Sequence, residues 1–162
     1  MMATLYTIGY EATDIARFVD EVRRQGIARI IDVRRNPISP KRGFAKGALA
    51  ARLTAEGIGY THLVDLDPPK DLRDVYRVER DLARYFTRFA TYLVGQQEAL
   101  TSVTELAHAE RCALLCFERD PVTCHRSVIA AHLTQHAAIW AEHLFVPLTA
   151  SPASANVWAL AD

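Results

Sequence analysis

The 162 residues carry 19 Lys and Arg against 19 Asp and Glu, are half apolar, and include only seven Gly and seven Pro; this is the make-up of a folded globular protein and excludes disordered and collagen-like chains. At this length one domain buries roughly 68–70% of its unfolded surface, so neither a disulfide nor a structural metal is required for folding. No apolar run reaches the ~18 residues of a membrane span and the start lacks a signal-peptide pattern, so no membrane partner and a cytoplasmic location are expected, with Cys112, Cys116 and Cys124 as reduced thiols.

Leu5 to Ile8, closed by Gly9, reads as a first strand. Apolar residues Ile15, Phe18, Val19 and Val22 then recur at helical spacing, with Thr13 as the expected N-cap and Gly26 as the stop. Ala28 to Val33 is a second strand. Pro37, Pro40 and Gly43 mark a loop, Leu49 and Leu53 a helix ending at Gly57, and Ile58 to Leu63 a third strand. An Arg-rich helical region runs from Leu72 to about Ala107, with breaks expected near Val78 and Gly95. Arg111 to Phe117 is a strongly strand-like run, Cys124 to His136 a helix and Ile139 to Val146 a last strand. Such alternation predicts one compact α/β domain over residues 1–146, with a mainly parallel sheet of about five strands covered by helices on both faces. Residues 147–162 are expected to form a C-terminal tail.

In a parallel sheet, ligands bind at the carboxyl ends of the strands, where the loops and helix N-termini gather. The residues just beyond the strands include Tyr10, then Asp32 and Arg34, then His62, then Glu118, Cys124, His125, Arg126 and Ser127. Of these, Asp32, Arg34, His62, Glu118, Cys124, His125 and Arg126 are expected to surround one pocket. Asp32 and Arg34, two apart, point to the same side; either they clamp a ligand or they close the loop as an ion pair. Cys124 falls at the start of a helix, where the dipole and the neighbouring His125 and Arg126 lower a thiol's pKa; either it is a reachable thiolate or it is a small packed residue.

Several chemistries lack their spacing. Six residues beyond Cys116 and Cys124 stand Val122 and Ala130, not the Arg of a phosphate-wrapping thiol loop. Walker and Gly-x-Gly-x-x-Gly loops are absent. Cys116, Cys124, His125 and His62 make a nominal set of zinc ligands, but without Cys-x-x-Cys or paired spacing, so no metal or cofactor is expected.

Residues 33–55 hold no acid but six basic side chains, among them Arg34, Lys41 and Lys46, with Phe44 as the aromatic available for stacking. Three readings therefore stand. The first is an enzyme on an anionic, possibly phosphate-bearing substrate (a nucleotide or nucleic acid), with catalytic Asp32, Glu118, Cys124 and His125 and substrate-binding Tyr10, Arg34, His62, Arg126 and Ser127. The second is a non-catalytic nucleic-acid binder using residues 34–52. The third is a thiol redox sensor using Cys116 and Cys124. Nothing in the pattern sets the oligomeric state.

Thr7-Ile8-Gly9-Tyr10, Asp32-Val33-Arg34 with Pro37 and Ser39, Gly57 to Leu63, and Cys116-Phe117-Glu118-Arg119-Asp120-Pro121 followed by Cys124-His125-Arg126-Ser127 together resemble the bacterial and archaeal domain of unknown function 488 family. Pro68 to Arg73 is similar to its middle segment. The resemblance spans Leu5 to about Val146 and implies a compact α/β domain with a shared polar site, but no reaction. Glu11 departs from the Ser usual in that family after the Gly-Tyr pair, so that the first loop's role differs here.

Overall fold

The computed structural model describes residues 1–148; most of the expected 147–162 tail lies outside the described residues. Five strands form one parallel sheet: β1 (Ala3–Gly9), β2 (Arg29–Asp32), β3 (Gly59–His62), β4 (Cys112–Cys116) and β5 (Ile139–His143), in the order β3-β2-β4-β1-β5. The central strand is β4. All five of its residues, Cys-Ala-Leu-Leu-Cys, are buried, as expected for a strand covered on both faces. It pairs with β1, Ile8 beside Leu115, and with β2, Ile31 beside Leu114.

The helices are α1 (Ile15–Arg24), α2 (Lys46–Ala55), α3 (Lys70–Glu79), α4 (Leu82–Val94), α5 (Gln97–Ala109) and α6 (His125–His136). Alternation along the strands divides the core in two. Ile8, Ile30 and Leu115 face α1 and α2 through Phe18, Val22, Leu49 and Leu53. Leu5, Ile31 and Leu114 face α4, α5 and α6 through Phe89, Leu93, Val103, Ile129 and Leu133. No helix among the described residues is long and apolar enough to cross a membrane.

Two helix boundaries differ from the sequence reading. Asp14, not Thr13, caps α1, its carboxylate accepting from the Arg17 amide, while the Thr13 hydroxyl donates to the Pro147 carbonyl. The first break in the Arg-rich region falls at Arg80, in the left-handed region at φ 54°, and Asp81 then caps α4. The short polar side chain of Asp can satisfy an amide of the first turn, which decided both positions.

At the end of β1 the chain is crossed by the loop after β4. A Cβ on Gly9 would stand 1.9 Å from the Glu118 carbonyl oxygen, so only glycine permits this approach. Gly9→Ala is therefore expected to destabilise the protein by about 1–3 kcal/mol, as overpacking does, read as a lower urea midpoint at unchanged slope.

Candidate functional site

The sheet's carboxyl edge carries two separate polar networks, one on each face. On the α1/α2 face, Asp32 and Arg34 form a bidentate pair: Arg34 Nε donates to Asp32 Oδ1 at 2.9 Å and Nη2 to Oδ2 at 2.8 Å. Nη1 donates to the Tyr10 hydroxyl and the Phe44 carbonyl, and the Tyr60 hydroxyl donates to Asp32 Oδ2. Burial by itself would lower the Arg34 pKa, but Asp32 more than offsets it and holds the guanidinium firmly charged. Burial and the adjacent Asp32 carboxylate raise Tyr60. Every nitrogen of Arg34 already donates within the chain. The His62 ring meets the Arg34 carbonyl at 2.6 Å and Lys46 Nζ at 3.4 Å. Of the two alternatives, clamp or loop-closing pair, Asp32 and Arg34 have the geometry of the second.

Arg126 is equally committed. It is 0% exposed; Nε donates to the Thr7 hydroxyl, Nη1 to the Glu118 carbonyl and Nη2 to the Arg119 carbonyl. Ser127 Oγ donates to the Cys124 carbonyl at 2.8 Å. Both residues hold the loop that runs from β4 to α6. Glu11 adds a latch: its backbone amide donates to the Phe117 carbonyl and its carboxylate accepts from the Arg119 amide.

On the other face lie Cys116 at the end of β4, Cys124 as the N-cap of α6, and His125, the first residue of that helix. Ligand atoms of these three residues lie within 4.8 Å of one another. Cys116 Sγ is 3.6 Å from His125 Nδ1 and 3.6 Å from Glu118 Oε2. The imidazole Nε2, 4.0 Å from Cys116 Sγ, meets the Val33 carbonyl at 3.1 Å and Asp67 Oδ1 at 3.2 Å. Asp67 is in turn held by the Arg35 backbone amide, and the Arg35 Nη2 donates to the Asp67 carbonyl. The Phe89 ring stands edge-on to the imidazole.

Cys124 is 1% exposed, and its position overturns the reachable thiolate expected from the helix start. Burial pushes its thiol well above the ordinary range, and the adjacent Cys116 adds to this against the pull of His125. Desolvation of the charged form outweighs the dipole here. Burial likewise pushes Cys112 up to about 11. For His125 burial opposes the charged form, yet Cys124, Asp67 and the Val33 carbonyl together raise its pKa. Asp67 is raised by burial, against the pull of His125, Arg35 and Arg73.

Of the seven residues expected around one pocket, the structure thus brings Glu118, Cys124 and His125 together, sets Asp32, Arg34 and His62 in the network across the sheet, where Tyr10 joins them, and places Arg126 beneath the loop with Ser127. The reading missed Asp67, hidden in an acidic stretch, and Arg73. Asp67 precedes Pro68-Pro69 at the start of α3, and that turn was its only sequence signal. The Arg73 Nε is buried without a hydrogen bond, and the Arg73 side chain makes no ion pair among the described residues.

The model of a family described as domain of unknown function DUF488 matches residues 14–133. The chain belongs to that family. No curated protein and no solved structure matches it. The matched span of the DUF488 family includes Asp67, Arg73, Cys116, Glu118, Cys124 and His125, so the whole second network lies inside the family's domain.

Two outcomes follow from these networks. Asp32→Ala leaves the Arg34 charge buried and unpaired and is expected to cost about 3–5 kcal/mol in urea unfolding. Iodoacetamide at neutral pH is expected to leave Cys112 and Cys124 unlabelled in the folded chain and to label them as urea opens it, located by peptide mass mapping.

Proposed function

We propose that this chain is an enzyme acting on an anionic, phosphate-bearing substrate at the carboxyl edge of the sheet, on the face covered by α3, α4 and α6. The observation that carries the reading is the chain of groups at the end of β4: Cys116 Sγ lies 3.6 Å from Glu118 Oε2 and 3.6 Å from His125 Nδ1, the His125 Nε2 meets Asp67 Oδ1 at 3.2 Å, and the Arg73 charge acts on Asp67. A guanidinium whose buried Nε has no hydrogen-bond partner among the described residues, a carboxylate at the rim and an imidazole backed by a carboxylate are the groups that anion binding and proton transfer need. Arg73 meets the substrate's charge. Glu118 takes the proton from the attacking water as its oxygen bonds to phosphorus, and returns it to the leaving-group oxygen as that bond breaks.

The basic loop supports the nucleic-acid reading less well. Phe44 is 0% exposed and stacked on Tyr10, so it has no face for a base. Lys41 Nζ donates to the carbonyls of Tyr10 and Thr13, and Arg52 pairs with Glu56.

Turnover of aryl phosphate mono- and diesters and of nucleotides by the purified chain tests the proposal. Glu118→Gln is expected to lower kcat by about 10²–10⁴-fold, and Arg73→Ala to raise KM by roughly tenfold or more with kcat less affected. Activity indifferent to both substitutions, or absent on every ester, rejects it.

A further inference from the structure

We propose that Cys116, Cys124 and His125 bind a zinc ion, with a fourth coordination position left open beside Glu118. The three side chains come from two elements that meet at one point, the end of β4 and the start of α6, and their donor atoms lie within 4.8 Å of one another beneath the surface. The spacing suits a tetrahedral ion. Bonds of about 2.3 Å to sulfur and about 2.0–2.1 Å to nitrogen place those two atoms about 3.6 Å apart, and Cys116 Sγ lies 3.6 Å from His125 Nδ1.

The imidazole is already oriented for this role. Its Nε2 faces two acceptors, the Val33 carbonyl and Asp67 Oδ1, and donates to them; Nδ1 is the ring nitrogen nearer to Cys116 Sγ, at 3.6 Å against 4.0 Å for Nε2. A ligating histidine is typically held in this way, its other nitrogen donating to a carbonyl or carboxylate. The loop between the two cysteines is also fixed without any ion. Arg126 holds the carbonyls of Glu118 and Arg119, and Asp120 caps the turn Pro121–Thr123 that delivers Cys124.

Charge points the same way. Two thiols and the Glu118 carboxylate gather about one imidazole, so once the thiols ionise a divalent cation offsets what the ring alone does not. Two thiolates with one imidazole are a soft donor set suited to zinc, and three protein ligands with a free position are the arrangement of reactive zinc sites. The nominal ligand set in the sequence included His62, but that ring is occupied by the Arg34 carbonyl and Lys46, and Glu118 borders the cluster instead. The ion site stands whether or not this edge turns over a phosphate ester.

The test uses the full chain without a histidine tag. Metal analysis after gel filtration is expected to find about one zinc per chain. After chelation, titration with cobalt(II) is expected to give the intense visible bands of a tetrahedral ion and sulfur-to-cobalt charge transfer, both abolished by added zinc. Cys116→Ser, Cys124→Ser and His125→Ala should each weaken cobalt binding by more than the ~10–100-fold expected for the outer-partner change Asp67→Asn, whereas Cys112→Ala should keep the spectrum. Because Cys124→Ser is a change in the core, circular dichroism accompanies each variant, and the wild-type spectrum with the Asp67→Asn shift decides if that variant does not fold. Folded wild type with neither bound zinc nor a thiolate–cobalt band overturns the proposal. So does a Cys116–Cys124 disulfide in freshly purified chain, which would make the thiols a redox pair. Cobalt bound at the three ligands without ester turnover upholds the ion site and rejects only the catalytic reading; turnover without metal does the reverse.

Discussion

One buried guanidinium organises the edge where the two networks lie. Arg126 reaches from α6 to the Thr7 hydroxyl on β1 and to the carbonyls of Glu118 and Arg119, and no carboxylate pairs with it among the described residues. Neutral acceptors satisfy its donors but leave its charge largely uncancelled, and with burial it lowers the pKa of His143, whose ring shares the Thr7 hydroxyl. Charge-assisted hydrogen bonds are the stronger kind, and a buried charge that loses its acceptors is costly. The carbonyls of residues 118 and 119 are thus pinned, and with them the path of the chain between Cys116 and Cys124. Gly9 permits the close approach this path requires, and Glu11 ties the same loop from the other side.

The two faces of the edge solve opposite problems. On one, Asp32, Arg34, Tyr10, Tyr60 and the Phe44 carbonyl satisfy one another, a closed set that fixes the long loop after β2 against the core. On the other, donors exceed acceptors: the buried Nε atoms of Arg35 and Arg73, whose charges act on Asp67, have no hydrogen-bond acceptor among the described residues. Buried polar groups in folded proteins are normally satisfied, and this imbalance is why the proposed site is set on that face.

The fold was readable from sequence because β1, β2 and β4 hold short apolar runs, and because α1, α4 and α6 carry apolar residues at helical spacing. The first break in the Arg-rich region lies a little beyond Val78 because a left-handed Arg80 and the Asp81 cap end α3 and start α4, while the second falls at Gly95 as expected. The site was readable only in part. Position after a strand end picks out the correct edge, but it does not say on which face a side chain emerges, since that depends on the pleat and on how far each strand runs. Asp32 and Cys116 both end strands and yet join opposite faces. The two alternatives left open for Cys124 could not be separated for a similar reason: sequence shows the helix start but not the burial, which matches the packed residue.

The placement of β4 also bears on how the protein assembles. This strand lies between β1 and β2 in the sheet although it follows β2 by four helices and an intervening strand. The pairs Ile8 with Leu115 and Ile31 with Leu114 are contacts of high sequence separation, which form slowly because a long stretch of chain must be closed before they are rewarded. Cys116 takes its place only when that central slot is filled, and Cys124 and His125 are positioned relative to it by the loop that follows. The Asp32–Arg34 pair joins residues two apart in the chain, whereas the thiol–imidazole cluster joins groups that only the filled central slot sets side by side. The cluster is therefore absent from any partly folded chain in which the middle of the sheet is still open.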